Sequence, residues 1–112
     1  MPQLLSLTGI VALPKSGPYR GGMHSHLFTI VCEFEGGSYV SQVRAPNEQQ
    51  ALLAWADGIR VDQTMGGDTN RIATNAVEDA DPPTPLAGLE GVWCWTTNIA
   101  GKLVLANIVQ SG

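Results

Sequence analysis

The segment from Leu27 to Ile59 constrains the fold most, because several independent local signals agree along it. Leu27–Glu35 and Tyr39–Val43 are rich in β-branched and aromatic residues, which is typical of strands. Gly36-Gly37 lies between them and can supply the two positive φ angles of a two-residue hairpin turn. The pattern therefore predicts a β-hairpin centred on Gly36-Gly37.

The predicted hairpin has one strongly apolar face. Pairing across the Gly36-Gly37 turn places Phe34 opposite Tyr39 and Ile30 opposite Val43. A slip by one residue would bury Glu33, so the pattern resists that slip. The other face is more polar, as in a sheet covered on one side, but it keeps three apolar residues, Leu27, Val31 and Val40.

A helix is predicted directly after the hairpin. Asn47 is a good N-cap residue, and Gln50 completes a capping-box spacing. Gly58 is the predicted C′ residue, which gives a helix of about 11 residues. We expect Trp55 to anchor it on the apolar face of the hairpin. Its apolar stripe consists of Leu52, Trp55, Ala56 and Ile59.

Further elements complete the predicted domain. Leu4–Leu13 is predicted as an N-terminal strand, Ile59–Gln63 as a short strand, and Asp68 as the cap of a second helix. Gly91–Thr97 and Lys102–Gln110 predict a second hairpin. We therefore predict a single α+β domain over residues 1–112. Its antiparallel sheet would have four to five strands, formed by two β-hairpins plus an N-terminal strand, with one or two helices packed on one face.

The charge pattern excludes several function classes. Charged residues make up 14% of the 112 residues and the net charge is −4. Seven carboxylates and two arginines lie between residues 57 and 90, a local net of −5. This argues against nucleic acid and anionic membrane surfaces as partners, because both require basic patches. The low charge suits an association face, and a homodimer is one form that we expect.

Hydropathy and cysteine content favour a cytoplasmic protein. No apolar run approaches the roughly 18 residues of a membrane span. The N-terminus lacks the positive region and cleavage site of a signal peptide. Two cysteines do not make a disulfide framework. We expect a reducing compartment and no membrane partner.

His24 and His26 form the first candidate site. They lie at the end of a glycine-rich loop, Lys15–His26, that also contains Tyr19 and Arg20. On an extended backbone residues i and i+2 point the same way, so both imidazoles could bind one metal ion. No spacing indicates the remaining ligands, and two exposed loop histidines are the plainer interpretation. A small metal-binding protein or enzyme using this loop is the alternative function.

The other candidates are cysteines, tryptophans and carboxylates. Cys32 and Cys94 are interpreted as core cysteines, because a catalytic thiolate needs a neighbouring base or positive charge. Trp93 and Trp95 share one face of a strand, which favours one core residue and one contact residue. Asp79 lies in the acidic segment, which is either a solvated loop or a surface that attracts a basic partner.

No nucleotide-binding, hydrolase or zinc-protease motif occurs in the chain, and no cofactor is predicted. The strand–Gly-Gly–strand–helix order of Leu27–Ile59 resembles the opening of HicB-like antitoxin domains. That pattern is generic and carries no residue roles over.

We predict a non-catalytic protein-binding or regulatory module that contacts another protein or a second copy of itself. One version is an immunity or antitoxin-like inhibitor that covers a basic partner, in a complex that salt would weaken. The predicted binding residues are Tyr19, Arg20, Asp79, Asp81, Trp93 and Trp95.

Overall fold

The computed structural model describes residues 25–79 and 82–112, which form a five-stranded antiparallel sheet with two helices on one face. The helices are α1 (Glu48–Asp62) and α2 (Thr69–Glu78), with a 3₁₀ turn (Gly66–Asp68) between them. The strand order is β2-β1-β5-β4-β3. The strands are β1 (His26–Phe34), β2 (Gly37–Ala45), β3 (Thr84–Pro85), β4 (Val92–Ile99) and β5 (Lys102–Gln110).

This architecture confirms the predicted α+β class. The two hairpins are β1–β2 and β4–β5, and β1 and β5 join them at the centre of the sheet. The fifth described strand, β3, is a two-residue edge strand paired with β4. The predicted strand over Leu4–Leu13 lies outside the described residues.

The first hairpin turns one residue earlier than predicted. Glu35 and Gly36 carry the positive φ angles, 50° and 80°. Phe34 therefore pairs with Gly37, and Ile30 pairs with Ser41. The predicted pairings of Phe34 with Tyr39 and of Ile30 with Val43 are both wrong. A Cβ at position 37 would lie 2.9 Å from Tyr39 Oη, so the glycine accommodates the tyrosine ring within the strand. Because the register differs by two residues, every side chain keeps its predicted face.

Helix α1 begins as predicted and ends later. Asn47 Oδ1 accepts a hydrogen bond from the Gln50 backbone N–H at 2.8 Å, which confirms the N-cap. The helix continues through Gly58 to Asp62, so the predicted end at Gly58 and the predicted strand over Ile59–Gln63 are both wrong. Gln63 ends the helix with a left-handed φ of 51°. Its side-chain amide donates to the Arg60 carbonyl at 2.7 Å, so this end does not need a glycine.

The core lies between the helices and one face of the sheet. Trp55 is 1% exposed, and its ring meets Trp95 edge-on with centroids 6.1 Å apart. Burial of such a side chain stabilises the fold by roughly 3 kcal/mol. The second helix is confirmed as α2, and it adds Ile72, Ala73 and Ala76 to the core. From the sheet come Phe28, Ile30, Cys32, Phe34, Trp95, Ile99, Val104, Ala106 and Ile108.

The late end of α1 generates a stability prediction. Gly58 lies inside the helix and is exposed, and a Cβ added there would meet no other part of the chain within 4 Å. Gly58→Ala should therefore stabilise the fold by roughly 0.5–1 kcal/mol, measured as the free energy of unfolding in urea.

Gly66→Ala is the matched control, because position 66 is equally uncrowded but has a φ of +67°. That substitution should destabilise the fold by about 1–2 kcal/mol. Destabilisation by Gly58→Ala would contradict the helical assignment of residues 58–62.

Candidate functional site

The structure places only part of the predicted site. Tyr19, Arg20, His24 and Asp81 lie outside the described residues. His26 begins β1, is half-buried, and its ring lies edge-on to Phe28 with centroids 6.4 Å apart. Within residues 25–79 and 82–112, no group of three His, Cys, Asp or Glu side chains could hold a metal ion.

Two predicted binding residues, Asp79 and Trp95, contact each other. Trp95 Nε1 donates a hydrogen bond to Asp79 Oδ2 at 3.0 Å. The indole is 3% exposed, so this bond ties the end of α2 to β4 from within the core. Trp93 is half-buried, and its ring lies 6.1 Å from that of Phe28. The geometry therefore gives both tryptophans packing roles on the helix side of the sheet.

Lys102 joins three turns of the chain. Its Nζ lies 2.8 Å from Asp68 Oδ2 and 3.6 Å from Glu35 Oε1, and 5.5 Å from the centre of the Phe34 ring. The hydrogen bond to Asp68, more than any other effect, raises the pKa of Lys102. Asp68 makes no side-chain cap for α2, contrary to the prediction, because its carboxylate binds the lysine instead.

A shallow polar groove of about 390 Å³ lies between α2 and the β4–β5 turn. Some of its side chains bond to neighbouring elements: Asn75 Nδ2 donates to Thr97 Oγ1 at 2.9 Å, and Arg60 donates to Thr74 Oγ1 at 3.0 Å. Arg71 and Asn98 also line it. The two hydrogen bonds hold α2 against α1 and β4.

The two helices of the described residues leave the second face of the sheet uncovered. Side chains alternate along each strand, and α1 and α2 both pack on the face that contains the core. No helix in the described part of the chain packs on the other face, which we call the open face. It carries eight apolar side chains: Leu27, Val31, Val40, Val92, Cys94, Leu103, Leu105 and Val109.

Two pairs of apolar residues on the open face lie directly opposite each other, Val31 with Val40 and Val92 with Val109, and polar residues separate the others. Val40 lies opposite Val31, and in the next strand Val31 lies opposite Asn107, which is opposite Cys94. Val40 is 66% exposed and Leu103 is 59% exposed. An apolar group of this kind on one side of a sheet is typical of a contact surface.

The open face is almost free of charge. In the described strands its charged side chains are Glu33 and Arg44, and the remaining polar positions are hydroxyls and amides. Gln42 Nε2, for example, donates to Thr29 Oγ1 at 3.0 Å across β1 and β2. Low charge reduces the desolvation cost of covering such a surface with another protein.

Sequence reasoning missed the extent of this surface. Leu27, Val31 and Val40 are visible in the sequence as apolar residues on the more polar side of the first hairpin. Leu103 and Leu105 join them only because β5 pairs with β1, and that pairing is a long-range contact without a local sequence signal.

Comparisons with protein-family models, curated proteins and solved structures found no match for this chain.

The two cysteines lie on opposite faces of the sheet. Cys32 is in the core, where burial, followed by the charge of Glu33, raises the pKa of its thiol to about 12. Cys94 is half-buried on the open face, and burial raises the pKa of its thiol too. Both thiols are free.

Cys94 should therefore react with a thiol reagent faster than Cys32 in the folded protein at about pH 8, because only the thiolate reacts and Cys32 is sealed in the core. Mass spectrometry after timed alkylation measures both rates. Cys32 should become reactive only in denaturant. Equal rates in the folded state would contradict the assignment of the two faces.

Proposed function

We propose that the chain is a non-catalytic protein-binding module whose contact surface is the open face of its sheet. The observation that supports this function is the group of apolar side chains on a face that neither α1 nor α2 covers. The contact partner is another protein or a second copy of the chain.

The physical driving force is burial of apolar surface. Each 100 Å² of apolar surface removed from water contributes about 2.5 kcal/mol before the costs of association. Val40 and Leu103 offer the most, since each exposes more than half of its surface. The many hydroxyl and amide side chains between the apolar residues can add hydrogen bonds that fix orientation.

Three chemically reactive side chains of the described residues are engaged within the fold, which supports a binding role more than a catalytic one. Lys102 is bonded to Asp68, Asp79 is bonded to Trp95, and Cys32 is in the core with a raised pKa. Each of these three side chains packs or bonds within the fold.

A narrower version is an immunity or antitoxin-like inhibitor of a basic partner. Asp57 and Asp62 on α1 and Glu78 on α2 are exposed and would supply the attraction. Two other carboxylates of the acidic segment, Asp68 and Asp79, are already bonded within the fold. Salt would weaken binding in this version far more than binding through the apolar open face.

The test compares three immobilised proteins in an extract of the source cells: the wild type, Val40→Lys/Leu103→Lys, and Val61→Lys. Val61 is 82% exposed on α1 and provides the same chemical change on the helix side. The open-face variant should retain at least about tenfold less of the proteins that the wild type retains, including this chain itself, because burial of two lysines is costly.

Val61→Lys should retain them, and circular dichroism should show that all three proteins are folded. Unchanged retention by Val40→Lys/Leu103→Lys would overturn the proposed function.

A further inference from the structure

We propose that the occupant of the open face is a second copy of this chain, so that the protein is a homodimer. Its two-fold axis lies between the two open faces, parallel to both sheets and perpendicular to the strands. This proposal rests on the protein-binding function above and names its partner.

The two charges of the open face support this symmetry. Arg44 lies opposite Leu27 in the β1–β2 ladder, and Glu33 lies six residues further along β1. At about 3.4 Å per residue the two charges are roughly 20 Å apart, with Val31 and Val40 between them and Leu105 opposite Glu33. Arg44 has no ion-pair partner among residues 25–79 and 82–112. Glu33 accepts one hydrogen bond, from Ser38 Oγ at 3.0 Å.

A two-fold axis perpendicular to the strands reverses the strand direction of the second copy. Arg44 of one copy then comes over the partner's Ser38, beside the partner's Glu33 on the neighbouring strand, where the long arginine side chain can reach that carboxylate, and symmetry forms the same pair twice. The apolar residues between the two charges, such as Val31 and Val40, meet their own copies near the axis. The first hairpin is therefore complementary to itself in charge, with Val31 and Val40 close to the axis.

The area of the face fits a dimer of moderate affinity. Four long strands form it, and at a spacing of about 4.8 Å and a length of about eight residues they cover roughly 500 Å². Two copies would bury about 1,000 Å², which is near the lower limit for a specific interface. We therefore expect a monomer–dimer equilibrium with a Kd in the micromolar range, about 1–100 µM.

Sedimentation equilibrium of the untagged protein, from about 1 to 500 µM, measures this equilibrium directly. Arg44→Glu and Glu33→Arg should each raise the Kd by about tenfold or more, because each change puts like charges over one another. The double variant Arg44→Glu/Glu33→Arg should return the Kd close to the wild-type value, since it restores opposite charges in exchanged positions.

Val61→Lys is the control and should leave the Kd unchanged, whereas Val40→Lys/Leu103→Lys should abolish the dimer. Alkylation of Cys94 gives a second readout: its rate should fall as the dimer forms, while Cys32 stays unreactive.

A wild type that is monomeric at all concentrations would overturn the homodimer. If Val40→Lys/Leu103→Lys then still loses partners from the extract, the protein-binding function stands with a different partner. A dimer that is unaffected by both the lysine variants and the charge exchanges would overturn the proposed interface. Unchanged retention by Val40→Lys/Leu103→Lys in the extract would separately overturn the protein-binding function.

Discussion

The contact between Trp55 and Trp95 is the interaction on which the rest of the fold depends. It joins the middle of α1 to the fourth strand, and both side chains are almost completely buried. Asp79, at the end of α2, extends this contact by accepting a hydrogen bond from the Trp95 indole N–H. Two helices and one strand, distant in sequence, are therefore fixed around one aromatic pair. Trp55 Nε1 is buried without a hydrogen-bond partner among the described residues, so this pair holds by packing.

The position of this pair decides which face of the sheet is covered. With both helices packed on the side of Trp95, the alternating side chains of the same strands lie on the other side. The chain has few charges to place there, because only 14% of its residues are charged. Hydroxyls, amides and aliphatic side chains therefore form the open face. A surface of that composition can be covered by another protein at low desolvation cost, which links the composition to the proposed function.

The local parts of this fold are predictable from the sequence, and the long-range parts are not. Asn47 and Gln50 determine where α1 begins, since a side-chain cap acts over three residues. The predicted end of α1 is wrong because Gln63, and not Gly58, ends the helix. The Gln63 side chain donates a hydrogen bond to the Arg60 carbonyl at that end. The hairpin turn lies one residue from its predicted place because Glu35, and not Gly37, takes one of the two positive φ angles predicted for the glycine pair.

The same limit applies to the site. The sequence indicates tryptophans and carboxylates as contact residues, because these types often occur at interfaces. The structure places Trp95 and Asp79 in a hydrogen bond with each other, and their role as contact residues stays a prediction. The open face needs the pairing of β1 with β5, which brings Val31 and Leu105 to one side of the sheet from residues far apart in the chain. Only a predicted strand order would have revealed it.

The central claim is that the open face, and not the helix layer, is the surface through which this chain binds protein. Methyl NMR spectra of the purified protein at low and high concentration test it most directly, because they report on both faces at once. The account predicts concentration-dependent shifts at Val31, Val40 and Leu105, with Val61 and Val77 on the helices unchanged. Shifts confined to the helix residues, or no shifts on either face, would contradict self-association through the open face.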